Sequence, residues 1–135
     1  MSANLDLVRS IYADWERGDF SSVGWAASSI RFEIVGGPDP GTWTGLAGMA
    51  EGWRQWLAAW DDYNAEADEY REPDGARVVV FGRMSGRGRM SGVKVETEFV
   101  NALDFQAGKV TRLQLYSDRD RALADLGLAP EDDTQ

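Results

Sequence analysis

RVVVFGRMSGRGRMSG, residues 77–92, carries the letters GRMSG at 82–86 and again at 88–92. The offset is six, an even number. On a strand, side chains alternate faces with period two, so an even repeat returns each residue to its own face. Arg83, Ser85, Arg87, Arg89 and Ser91 then share one face. Gly82, Met84, Gly86, Gly88, Met90 and Gly92 share the other, joined upstream by Val78 and Val80. The stretch reads as a long strand with one small or apolar face and one polar face. An Arg-Gly nucleic-acid segment is the competing reading, and total charge decides against it. The chain has 14 Lys and Arg against 23 Asp and Glu, a net charge of −9, and a pI of about 4.4. Such a surface repels phosphate backbones. A phosphate loop would need a helix directly behind it to supply N–H donors, and none follows.

The text on either side extends the strand into a sheet. Ser91-Gly92 reads as a two-residue hairpin turn. It predicts Met84 opposite Phe99, Gly82 opposite Asn101, Val80 opposite Leu103 and Arg87 opposite Glu96. Gln106 to Gly108 reads as a three-residue turn, which predicts Leu103 opposite Thr111, Asn101 opposite Leu113 and Phe99 opposite Leu115. Residues 61–72 form a strand ending at the turn Pro73-Asp74-Gly75, with Glu66 near Arg83. In this register apolar residues meet apolar ones and arginines meet glutamates. The four strands make an antiparallel meander, and Asp104 and Arg112 face outward.

The N-terminal half is more helical. Ser2 caps a first helix with Leu5, Val8, Ile11, Tyr12 and Trp15 on one stripe, and Gly18 ends it. Residues 20–28, FSSVGWAAS, read as a short second helix. Residues 30–35 alternate as a strand with Ile30, Phe32 and Ile34 on one face, and 36–43 read as an irregular loop. Residues 44–60 read as a long helix with Leu46, Met49, Trp53, Trp56, Leu57 and Trp60 on its apolar stripe. A short helix closes the chain before an acidic tail. The expected fold is α+β: a bent mixed or antiparallel sheet wrapped around a long helix, with a short N-terminal helical pair. Residues 1–128 form one domain and 129–135 a flexible tail.

Composition narrows the chemistry. The 135 residues include no cysteine and no histidine. Disulfides, thiol nucleophiles and His-assisted nucleophiles are excluded, and the usual transition-metal ligands are missing. No metal or cofactor is expected, no stretch is apolar enough to span a bilayer, and the expected location is cytoplasmic.

Four stretches, in order, resemble the nuclear transport factor 2-like (NTF2-like, cystatin-like) superfamily and its SnoaL-like group. They are IYADWERGDF, TWTGLAGMAEGW, ARVVVFGRMSGRG and NALDFQAGKVTRLQLYSDRDRALADLGL. The resemblance implies a cone with a pocket between bent sheet and long helix. Its members include isomerases, cyclases, hydrolases and non-enzymatic modules, so the pocket residues must decide. The positions at which the isomerases carry a tyrosine, a carboxylate base and a protonated aspartate fall here at Ile11 (with Tyr12 beside it), Ile34 and Asn101. The cyclase acid falls at Leu115. The usual acid/base groups are thus absent, though an asparagine amide can still donate to an oxyanion.

The candidate ligand-binding residues are Tyr12, Trp15, Phe32, Ile34, Trp53, Trp56, Trp60, Met84, Phe99, Asn101 and Leu115, with Thr97 a further polar addition. Gly82, opposite Asn101, is expected to leave a gap in the wall. Asp14, Glu33, Glu98 and Asp104 are expected at the surface, and Glu69 near the rim. Three functions stay open. The first is a small-molecule-binding protein with a tryptophan-lined pocket for an apolar, aromatic or polycyclic ligand. The second is a non-catalytic homodimer joined through the outer sheet face, where Val100, Ala102 and Tyr116 lie among Arg83, Arg87, Glu96, Arg112 and Gln114. The third is an isomerase or cyclase acting on a polycyclic or aromatic ketone.

Overall fold

Ser2 accepts a hydrogen bond from the Leu5 N–H and starts the first helix, α1 (Ala3–Glu16). Its buried stripe is Val8, Ile11, Tyr12 and Trp15, at the spacing expected of one helical face. A computed structural model describes residues 2–21, 23–36 and 40–128, so the tail assigned to 129–135 lies outside the described residues. After α1 come β1 (Ala26–Val35), β2 (Gly41–Thr44), α2 (Gly45–Ala58), β3 (Trp60–Asp74), β4 (Arg77–Gly88), β5 (Lys94–Gln106), β6 (Lys109–Tyr116) and α3 (Arg119–Leu126). The six strands form one mixed sheet in the order β2-β1-β6-β5-β4-β3. Strands β1 and β6 are parallel and the other neighbours antiparallel. Register shifts in β3, between Asp61 and Asn64, Ala67 and Glu69, and Arg71 and Asp74, mark bulges that bend the sheet. The result is an α+β cone.

One face of the sheet carries the main core, with Ile30, Phe32, Val78, Val80, Leu103 and Leu113 packed against α1 and α2. Strand alternation predicts that face correctly. The register along it is corrected twice. Met84 lies opposite Thr97, Gly82 opposite Phe99 and Val80 opposite Asn101. Residues 89–92 form a four-residue loop closed by Gly88 N–H to the Val93 carbonyl, 2.9 Å, with Gly92 at φ 69°. Arg89 fixes this loop to the start of β3 through Asp61 (3.1 Å) and the Trp60 carbonyl (3.1 Å). The β5–β6 turn, expected with three residues, has two, Ala107-Gly108, both at positive φ (54° and 79°). Those angles match a type I′ turn. A register shift between Asp104 and Phe105, which leaves Thr111 as an extra residue on β6, then sets Leu103 opposite Leu113 and Asn101 opposite Leu115.

Further corrections concern element type. Residues 20–21 and 23–25 form no helix; β1 already begins at Ala26, and the Trp25 carbonyl accepts from Val110 N–H at 2.9 Å. Residues 41–43, expected as loop, and Thr44, expected in the long helix, are a strand on the edge of β1. Trp60 opens β3 instead of ending α2. The arginine face is outward, as expected. Arg83 pairs with Asp68 at 3.1 Å, and Arg87 faces Lys94 and donates to the Gly92 carbonyl.

The outer face is not bare. Helix α3 covers a second apolar cluster of Val79, Phe81, Val100 and Tyr116 with its Ala122 and Leu123. The Arg71 and Arg119 guanidiniums each stack on the Phe81 ring, at 4.5 and 4.7 Å. Val100 and Tyr116, two of the residues assigned in the sequence to a partner copy, are thus covered by the chain's own helix.

Ala107 is a non-glycine residue held in the left-handed region, which costs an L-residue about 1–2 kcal/mol relative to right-handed backbone. Asparagine tolerates that conformation better. Ala107→Asn is expected to raise stability by about 0.5–1 kcal/mol, seen as a midpoint about 2–5 °C higher in a thermal melt.

Candidate functional site

Between the concave face of the sheet and the two longer helices lies a cavity of about 280 Å³. Ten of the eleven candidate residues line it. Trp15 and Tyr12 come from α1, and Trp53 and Trp56 from α2. Trp60 opens β3, Ile34 ends β1 and Leu115 lies on β6. Met84, Phe99 and Asn101 come from the central strands. Phe32 is the exception. It is fully buried and packs on Trp43 and Trp53, with ring centroids 5.7 and 5.2 Å away. Gly52 makes this possible, since a Cβ there would lie 2.7 Å from the Phe32 ring. Phe32 is therefore core and not wall.

The gap expected beside Asn101 is also corrected. Gly82 sits opposite Phe99, and a Cβ at Gly82 would lie 2.1 Å from the Glu66 carbonyl oxygen and 2.5 Å from the Phe99 ring. The glycine admits close backbone and ring packing and opens no space.

Sequence reasoning missed Phe20 and Tyr63, and it gave Thr97 only as an addition; all three line the cavity. Phe20 comes from the loop after α1 and packs between Trp15, Trp53 and Tyr63. Tyr63 is turned inward by the bulge between Asp61 and Asn64. That bulge breaks simple alternation, so no period-two reading of 61–72 could place it. Phe20 had a signal, a lone aromatic after the Gly18 stop.

The polar centre is a pair. Asn101 Nδ2 donates to the Tyr12 hydroxyl oxygen at 2.6 Å, 89 residues apart in sequence. Both side chains are buried. Burial raises the Tyr12 phenol far above its ordinary value, with the Asn101 hydrogen bond a smaller opposing effect and Tyr70 and Tyr63 adding to the rise. Tyr12 therefore stays a neutral donor. Its oxygen is taken by the amide, so its own proton needs another acceptor, and no described residue supplies one. Helix position matters here: the stripe turns Tyr12 to the cavity and leaves Ile11 in the core.

No acid lines the cavity among the described residues. Glu33, expected at the surface, is the correction. It is buried, 8 % exposed, but on the outer face. There it accepts from Arg112 (3.1 Å) and Gln114 (3.1 Å) and pairs with Arg31 at 2.8 Å. An acid so surrounded is compensated in place. Asp104 pairs with Arg77 at 2.6 Å, and Glu69 pairs with Arg71 at 2.7 Å on the outer face, not at the cavity rim. Among the described residues no group of three or more His, Cys, Asp or Glu could hold a metal ion. No described helix is long and apolar enough to cross a membrane.

The model of the SnoaL-like domain family matches residues 8–113. No curated protein matches the chain. Among solved structures, an NTF2-like protein from Burkholderia thailandensis is similar over 96 % of this chain and 100 % of its own, with 24 % identity and a TM-score of 0.78. A protein with a cystatin-like fold from Xanthomonas campestris covers 90 % and 95 %, with 20 % identity and a TM-score of 0.75. TerC, co-crystallised with polyporic acid, covers 93 % and 98 %, with 23 % identity and a TM-score of 0.73.

The buried phenol sets an alkaline limit. The folded chain retains the Tyr12 proton that the unfolded chain releases near pH 10. Stability from this group is complete below that pH and falls as pH rises beyond it. Burial also raises Tyr63, Tyr70 and Tyr116. Absorbance titration at 295 nm should show tyrosinate appearing together with unfolding above pH 10. Tyr12→Phe should lose stability less steeply over that window. At neutral pH the same variant should be less stable by about 1–3 kcal/mol, because it leaves the Asn101 amide buried without its partner.

Proposed function

This chain belongs to the SnoaL-like domain family, and we propose that it binds a small, mostly apolar aromatic molecule carrying a carbonyl oxygen. The rings lie among the cavity's tryptophans, and the oxygen accepts from Tyr12 and Asn101. The observation that carries this reading is the neutral Asn101–Tyr12 pair in an aromatic cavity that no carboxylate lines among the described residues. Aromatic walls supply affinity through apolar area, while a few fixed polar groups set orientation. A cavity of about 150 Å³ holds one benzene, so about 280 Å³ suits roughly two fused rings with substituents. The complex of the structurally similar TerC with polyporic acid supports a ring compound as the kind of ligand this architecture takes.

Isomerase or cyclase chemistry is the weaker reading. It needs a group that takes up and returns a proton. Ile34 and Leu115 stand where the resemblance would put that group, and they face each other across β1 and β6. Tyr12 and Asn101 polarise a bound carbonyl as donors, and neither removes a proton near neutral pH.

The test is calorimetric titration with 1,4-naphthoquinone, which has no cysteine to alkylate in this chain. A dissociation constant of about 10–500 µM is expected from the ligand's size. Asn101→Leu should weaken naphthoquinone binding about tenfold and leave naphthalene unaffected. If naphthoquinone gives neither heat nor a melting shift at millimolar concentration, the reading is wrong.

A further inference from the structure

A second cavity of about 290 Å³ adjoins the first, lined by Pro40, Trp43, Gln55 and Ala59. Three residues, Ile34, Trp56 and Trp60, line both. They form the wall between the inner chamber that Tyr12 and Asn101 line and the second cavity. The two tryptophans lean on each other, ring centroids 5.7 Å apart and planes at 59°, and both also touch Tyr63.

This partition has an unusual polar state. The Nε1–H groups of Trp56 and Trp60 are both buried and both without a hydrogen bond. Trp56 lies near enough to the Tyr63 hydroxyl to offset, in part, the upward push of burial on that phenol; the contact nonetheless falls short of hydrogen-bond geometry. A buried indole N–H normally finds a partner, and leaving a donor unpaired in an apolar wall is costly. The two donors sit on neighbouring rings in the wall that the two cavities share.

We propose that Trp56 and Trp60 form a gate between the two chambers, opened by an elongated ligand. Such a ligand has an aromatic lobe in each chamber and a hydrogen-bond acceptor at its waist, facing the two indole N–H groups. With the gate open, the accommodated ligand is roughly twice the size the inner chamber admits. The proposal rests on the reading of the inner cavity as a ligand site, and extends it to the ligand's length and its central acceptor.

Three probes separate the two claims. 1,4-Naphthoquinone reports the inner chamber alone. 2-Benzoylnaphthalene has two aromatic lobes joined by a carbonyl, and 2-benzylnaphthalene has the same lobes joined by a methylene. The wild-type chain should bind the ketone about tenfold or more tightly than the hydrocarbon, as expected for hydrogen bonds gained by buried donors. In a chain with both Trp56→Phe and Trp60→Phe, which keeps the rings and removes the N–H groups, that ratio should fall to about twofold or less. In ¹⁵N-labelled protein the indole N–H cross-peaks of Trp56 and Trp60, assigned by their loss in each single variant, should move downfield with the ketone and not with the hydrocarbon. Equal binding of ketone and hydrocarbon overturns the gate, as does a ketone preference that survives in the double variant or indole signals that do not move. Naphthoquinone binding together with any of these results leaves the inner-chamber reading standing. Failure of naphthoquinone to bind counts against that reading instead.

Discussion

Strand parity is the constraint on which the rest of this structure depends. On the concave face one row crosses five strands: Tyr70 beside Val80, Val80 beside Asn101, Asn101 beside Leu115, Leu115 beside Ile34. The next row, one residue along, is the outer face, with Phe81, Val100, Tyr116 and Val35 in sequence across the sheet. A slip of one residue in any strand would exchange these rows locally. In β1 it would bring Glu33 into the cavity and expel Phe32 and Ile34. The energetic penalty of exposing two such side chains, together with stripping Glu33 of Arg31, Arg112 and Gln114, rules that state out. The absence of an acid from the described cavity wall is therefore a property of the whole sheet, not of a local choice of residue.

Parity also explains which parts of the fold were legible in the sequence. Faces were readable because GRMSG repeats at an even offset and because Ile30, Phe32 and Ile34 alternate cleanly. Both hairpin registers were nonetheless off by two. A slip of two preserves every face, so the pattern of apolar residues cannot detect it; the loop sets it between β4 and β5, and the turn together with the bulge next to Asp104 sets it between β5 and β6. The β4–β5 loop uses four residues because Arg89 is tied to Asp61 and to the Trp60 carbonyl. Those partners lie about thirty positions away in sequence. The β5–β6 turn places Ala107 where asparagine or glycine is the usual signal. Trp60 was misplaced for a similar reason. It continues the helical spacing of Trp53 and Trp56, and nothing local announces that the chain turns into a strand at Ala59. The cavity was more legible than the turns because it depends on faces: nine of its residues follow from parity and the helix stripes, and Trp60 reaches it from β3 and not from the helix to which it was assigned.

What the sequence could not show was how the aromatic mass divides between core and wall. Glycines make that division. Gly52 lets Phe32 and Trp43 come against α2 at distances a Cβ would forbid, which commits Phe32 to solid packing. Gly82 admits an equally close approach of the Phe99 ring and the Glu66 carbonyl, with Phe99 still facing the cavity. Because these rings close tightly at the two flanks, the remaining aromatics (Trp15, Phe20, Trp53, Trp56, Trp60 and Tyr63) surround space instead of filling it. A cavity persists in a small domain only where its lining is otherwise held, since an unsupported void collapses or destabilises the core. Here the Asn101–Tyr12 hydrogen bond ties α1 to the centre of the sheet and keeps the helix from settling further inward.

Charge sorting completes the argument. The described acids of the sheet that matter to chemistry have guanidinium partners on the convex side: Glu33 with Arg31 and Arg112, Asp104 with Arg77, Asp68 with Arg83. Among the described residues, the cavity lining holds polar groups that donate without ionising near neutral pH, and no carboxylate. A neutral donor pair in an apolar chamber stabilises oxygen on a bound ring but cannot shuttle protons, so its selectivity must come from shape and acceptor position. Under the proposed reading, the fold has kept the family's oriented pocket while the residues that face it favour recognition over turnover. The cost of burying unpaired indole donors in the partition is then intelligible, because those donors add a second point of acceptor recognition at a distance from Tyr12 and Asn101. In the proposed reading, two separated donor sites in adjoining aromatic cavities select for ligand length, which a single polar pair cannot do.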